Sequence, residues 1–128
     1  MSRLAPAVVS HAPIKVPHIN WGGVCAVCKR RHDNIGWNRS RNHSIIWFCR
    51  DDSEFIGLYS QMPKKIFDQF ESDSMLKGGQ AAGQYLDEIG TTDLAELDQL
   101  QFVSFFAKFM GAYEDAMRTS MKRLEHGG

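Results

Sequence analysis

Cys25-Ala26-Val27-Cys28 and, after seventeen residues, Ile46-Trp47-Phe48-Cys49-Arg50-Asp51-Asp52 form the stretch on which the fold turns. Two cysteines with two residues between them form a tight turn that aims two thiolates at one point. A tetrahedral Zn(2+) takes four nitrogen, sulfur or oxygen ligands. Cys25, Cys28 and Cys49 supply three, and Asp52, three residues after Cys49, stands where a fourth would fall. His32, His43 and His18 are the alternatives for that place. A set of buried, unliganded thiols and a thioredoxin-type redox pair also compete for these cysteines. The redox reading needs the pair at a helix start, and Lys29-Arg30-Arg31-His32-Asp33 does not read as an amphipathic helix. Three is an odd count, which suits a disulfide framework poorly and favours a reducing compartment.

Working outward, Ile35-Gly36-Trp37-Asn38 and Ser44-Ile45-Ile46-Trp47-Phe48 read as two short strands joined by the polar segment Arg39–His43. The acidic, cap-rich Arg50-Asp51-Asp52-Ser53-Glu54 precedes Phe55-Ile56-Gly57-Leu58-Tyr59, so a helix is expected to start there. Knuckle, hairpin, then a ligand at a helix start is the treble-clef or zinc-ribbon arrangement.

The remainder is helical in pattern. Pro63 falls at a first helical position, before Lys64–Phe70. Ser72-Asp73-Ser74 offers an N-cap for a separate helix to about Ile89, and Gly90 is a natural left-handed stop. Leu94–Leu97 forms a short turn, and Asp98 with Gln101 spells a capping box for a last helix from Gln99 to about Glu125. Phe102, Phe106, Phe109, Met110, Tyr113, Met117, Met121 and Leu124 share one side of that helix. The stripe is expected to be core against the two preceding helices; alternatively its far end (Met117, Met121, Leu124) overhangs as an interface, homodimeric or with another protein. The fold class is therefore α+β: a small zinc-bound β unit over residues 21–62, packed on a helical part over residues 63–128. The proline-bearing residues 1–20 form an extended or mobile arm.

The 128 residues hold 15 basic and 15 acidic side chains, but the balance is uneven. Residues 1–50 carry eight bases and one acid, and residues 51–128 carry seven bases and fourteen acids. Lys29, Arg30, Arg31, Arg39 and Arg41 interleave with Trp37, a pattern able to track phosphates and stack on bases or to meet an acidic protein surface. No apolar run reaches the roughly 18–20 residues of a membrane span. An HNH-like nuclease using His32 or His43 is a second class of function. It lacks a histidine in the segment from Asp51 to Met62, where such sites draw further ligands.

Cys25-x2-Cys28 with Ile35-Gly36-Trp37 and Trp47-Phe48-Cys49 is similar to a group of small phage and prophage proteins classed as a domain of unknown function. The tail from Ala82-Gly83-Gln84-Tyr85-Leu86 through Ile89-Gly90-Thr91-Thr92-Asp93-Leu94-Ala95 to Met117-Arg118 resembles that group too, so the likeness covers roughly residues 22–120. It implies a bacterial or phage origin and a cytoplasmic location in the host cell. Where such proteins often carry Cys or His after the third cysteine, this chain has Asp51-Asp52. The expected function is a non-enzymatic zinc-binding module that binds nucleic acid through its basic unit, or a host protein.

Overall fold

The computed structural model describes residues 23–127; the expected arm, His18 and Trp21 lie outside them. The described chain is α+β and mostly helical. Strand β1 (Ile35–Trp37) pairs antiparallel with β2 (Ile46–Phe48), with Ile35 opposite Phe48, Gly36 opposite Trp47 and Trp37 opposite Ile46. Both strands are shorter than expected from sequence, three residues each. Gly36 accommodates a crowded face: a Cβ there would lie 2.8 Å from Ile45 Cγ2 and 3.0 Å from the Trp47 ring.

A 3-10 turn (Ser53–Phe55) leads into the short helix α1 (Ile56–Gln61). The expected acidic cap is not made there. The Asp52 side chain bonds no helix N–H, because it is turned inward. Pro63 stands one position earlier than expected, as the N-cap of α2. Helix α2 (Lys64–Ile89) then runs unbroken for 26 residues, through Ser72-Asp73-Ser74. That corrects the expectation of two helices. Ser72 and Ser74 are buried in the helix interior, and packing overrides the local preference of serine for a cap.

Gly90 ends α2 with φ of 78°, and Asp93 accepts a hydrogen bond from Ala95 N in the turn Leu94–Glu96. Helix α3 (Gln99–Glu125) opens with the full capping box: Asp98 Oδ1 accepts from Gln101 N, and Gln101 Oε1 accepts from Asp98 N. Helices α2 and α3 pack side by side, and they approach closely at Gly78. A Cβ on Gly78 would lie 2.9 Å from the Phe109 carbonyl oxygen and 3.1 Å from its ring.

One apolar core joins all parts. Cys25, Val27, Cys28 and Phe48 from the β unit meet Phe55, Met62 and Phe67, and then Tyr113, Met117 and Met121 of α3. Tyr59 links them edge-on, against Phe48 at 5.6 Å and Phe67 at 5.0 Å. The β unit therefore caps the end of the helical pair where α2 begins and α3 finishes. Met117 and Met121 are fully buried beneath it. The alternative of an overhanging far end of α3 is overturned: that end is the covered one. The uncovered stretch is at the start, where Leu100, Phe102, Val103 and Phe106 are exposed.

Two glycine substitutions separate contact from conformation. Gly78→Ala should destabilise by about 1–3 kcal/mol, because the backbone carbonyl facing it cannot yield without separating the helices. Gly111→Ala, with nothing within 4 Å, should stabilise by about 0.5–1 kcal/mol through helix propensity alone. Urea denaturation of the two variants reads both signs.

Candidate metal centre

The knuckle around the first two cysteines is closed by the backbone. Cys25 N donates to Arg30 O at 2.8 Å, Lys29 N to Cys25 O at 3.0 Å, and Ala26 N to Trp47 O at 2.8 Å. The last bond ties the knuckle to β2, so Cys49, the residue after that strand, arrives beside it. Asp52 N then donates to Cys49 O at 3.2 Å, which folds the Asp52 carboxylate back onto the Cys49 thiol.

The knuckle needs a left-handed residue at Lys29, φ 64°, a conformation that costs a non-glycine residue of the order of 1 kcal/mol. The Lys29 side chain offsets this. Its Nζ donates to Ala26 O at 2.7 Å, pairs with Glu71 of α2, and lies 5.4 Å from the centre of the Phe67 ring.

Four ligand atoms converge. One atom each from Cys25, Cys28, Cys49 and Asp52 lies within 4.8 Å of the others, and all four residues are buried. Cys28 Sγ is 3.9 Å from Cys49 Sγ; Asp52 Oδ2 is 3.5 Å from Cys25 Sγ and 3.1 Å from Cys49 Sγ. A tetrahedral zinc, with bonds of about 2.3 Å to sulfur and about 2.0–2.2 Å to oxygen, sets S···S edges near 3.8 Å and S···O edges near 3.5 Å. The four residues could therefore hold a metal ion.

Asp52 is the fully buried member of a second contact as well. Arg118 of α3 donates from Nε to Oδ1 at 2.8 Å and from Nη2 to Oδ2 at 3.2 Å. Arg118 Nη1 also donates to Glu114 at 2.6 Å, and Glu114 takes Arg30 of the knuckle at 2.7 Å. Burial pushes the Asp52 carboxyl up, but the hydrogen bonds from Arg118 and Cys49 outweigh it and hold it below its usual value. The thiols split in the same field. A hydrogen bond from Cys28 holds Cys25 down to about 6, while Cys28, its donor, is pushed far up. Desolvation, then the Asp52 hydrogen bond, pushes Cys49 up to about 11.

The candidate histidines are placed elsewhere. His32 stacks on Trp47 at 4.5 Å and accepts at Nδ1 from Asn34 N; His43 bonds Ser40 through Nδ1 at 2.6 Å. Neither belongs to the four-residue group.

The basic residues divide into two sets. Lys29 is buried and engaged with Glu71, and Arg30 is engaged with Glu114, so neither is an unpaired charge on an outer face. Arg31, Arg39, Arg41 and Arg50 are exposed and form no ion pair among the described residues. Arg39 lies over the Trp37 ring at 5.6 Å, and Trp37 meets Tyr59 edge-on at 5.8 Å.

Arg118 is the site residue that the sequence reading missed. It stands on the flank of the α3 apolar stripe with Glu114 four residues before it, the pattern of an ordinary solvated ion pair. The one signal was its position beside Met117, at the border of the buried face.

No family model, no curated protein and no solved structure matches the chain.

Arg118 fixes the Asp52 carboxylate through two hydrogen bonds and places positive charge beside it. If the four residues hold a divalent ion, Arg118→Met should weaken its affinity by about 10–100-fold, and Arg118→Lys by less. Competition against a chromophoric chelator measures both, with wild-type stoichiometry of about one ion per chain as the reference.

Proposed function

We propose that the chain is a non-enzymatic, zinc-binding module of treble-clef type that binds nucleic acid through the outer face of its hairpin. The observation that carries the reading is the closed ligand set. Three thiols and a carboxylate lie within 4.8 Å of one another in a buried place, the full number of ligands that a tetrahedral structural zinc takes. A site of that kind serves to hold a fold. It does so here for a two-stranded sheet too small to be stable alone.

The metal unit then acts as a platform. It presents Arg31, Arg39, Arg41 and Arg50 to the exterior, with Trp37 partly exposed beneath Arg39. Guanidinium groups without acidic partners suit phosphate oxygens, and an aromatic ring under one of them suits stacking. The charge polarity of the chain supports the same direction, with one qualification that the geometry supplies. Lys29 and Arg30 spend their charge inside the molecule, so the footprint is smaller than the sequence total and is centred on the hairpin. The resemblance to phage and prophage zinc-ribbon-like proteins fits such a module and adds a bacterial cytoplasm as its setting. No helix among the described residues is long and apolar enough to cross a membrane.

Two measurements test the reading. Zinc content by elemental analysis should be about one per chain, and chelation should lower the thermal midpoint, as Cys49→Ser should. A metal-free wild type of unchanged stability overturns the zinc reading. Arg39→Ala with Arg41→Ala should weaken binding to single- and double-stranded DNA and to RNA across sequences, and should flatten the salt dependence by about two phosphate contacts. Absence of wild-type binding at low salt overturns the nucleic-acid reading and leaves a protein partner as the alternative.

A further inference from the structure

The apolar stripe of α3 runs the length of the helix, but its neighbours cover only part of it. From Tyr113 to Leu124 it lies under the β unit, with Tyr113, Met117 and Met121 buried. Over the first three turns the stripe continues with no cover. Leu100 is 75% exposed, Val103 58%, Phe106 49% and Phe102 46%. Helix α2 packs alongside α3 with Gly78 against Phe109, and it leaves these side chains about half exposed or more.

This face has relief. Phe102 and Phe106 stack edge-on at 5.0 Å and Phe106 meets Phe105 at 5.3 Å, making an aromatic ridge. Beside it Asp98, Gln99, Leu100 and Val103 line a shallow groove. Ridge and groove lie side by side on one helix face. Under a two-fold rotation the ridge of one copy meets the groove of the other, which is the condition for an isologous contact. The face carries little charge: Asp98, at the edge of the groove, is engaged as the N-cap of the helix. Between Gln99 and Met110 the only charged residue is Lys108, which projects from the opposite side of the helix.

The area is sufficient. The four exposed side chains leave on the order of 400 Å² of apolar surface, at the size where patches on monomers mark interaction sites. Two such patches with their rims bury about 1,000–1,200 Å², the lower end of a specific interface.

We infer that this half of α3 is a homodimer interface, in which two copies complete a four-helix arrangement around Phe102, Val103 and Phe106. The inference is independent of the metal and of the nucleic-acid reading. A dimer would place two metal units on one particle and give a nucleic acid two attachment points.

Sedimentation equilibrium of the full metal-loaded chain, from about 1 to 300 µM, tests it. The expected result is a reversible dimer whose population rises with concentration across that range. Phe106→Glu and Val103→Glu should each yield a monomer with unchanged helical circular dichroism and metal content. Lys108→Glu should leave the dimer intact. A wild type that stays monomeric throughout, or a dimer that survives both glutamate substitutions, overturns the proposal. A benzophenone side chain at position 106 adds a direct readout. Cross-linking to a second copy supports the proposal, whereas a cross-link to residues 1–22 of the same chain shows that the arm covers the face and overturns it.

Discussion

A carboxylate removed from water costs several kcal/mol unless charge and hydrogen bonds replace the solvent. The Asp52 carboxylate is fully buried, with thiols on one side and the Arg118 guanidinium on the other, and the remainder of the structure is arranged around meeting that demand. The thiols must converge, so the knuckle accepts a left-handed lysine. The guanidinium must arrive from a distant helix, so the end of α3 has to pack under the β unit, which buries Met117 and Met121. Glu114 then takes the second edge of Arg118 and reaches Arg30 on the knuckle. The four-residue cluster, the charges around it and the apolar core are thus one connected arrangement.

The charge polarity has a different meaning once these contacts are known. Opposite halves of the sequence partly neutralise each other at the seam, through Lys29 with Glu71 and Arg30 with Glu114. What remains outward is a basic hairpin at one end of the molecule and an apolar, nearly uncharged helix face toward the other. These surfaces differ in chemistry and in location.

Much of this was legible in the residues. The capping box at Asp98 and Gln101, the stop at Gly90, the hairpin and the cysteine spacing are local signals, and each produced the expected local structure. The convergence of Asp52 with the cysteines was legible for the same reason, since it lies one turn beyond Cys49. What the sequence did not disclose depends on distant partners. Ser72-Asp73-Ser74 looks like a helix start until α3 is laid against it. Gly78 looks like a weak point until Phe109 is seen to need its missing side chain. The α3 stripe has the same periodicity along its length, so periodicity could not reveal which half the β unit covers. Arg118 was hidden because a Glu–Arg pair four residues apart is the ordinary pattern of a solvated helix.

The separation of Asp52 from Arg118 by 66 residues has a bearing on how the chain is made. Synthesis runs from the N-terminus, so all three cysteines and the aspartate leave the ribosome well before the guanidinium that neutralises the carboxylate exists. During that interval Asp52 is a solvent-facing carboxylate in a segment rich in basic side chains, Lys29, Arg30, Arg31 and Arg50 among them. Its burial has to wait for the last helix, so the β unit reaches its final packing only once Arg118 has been made.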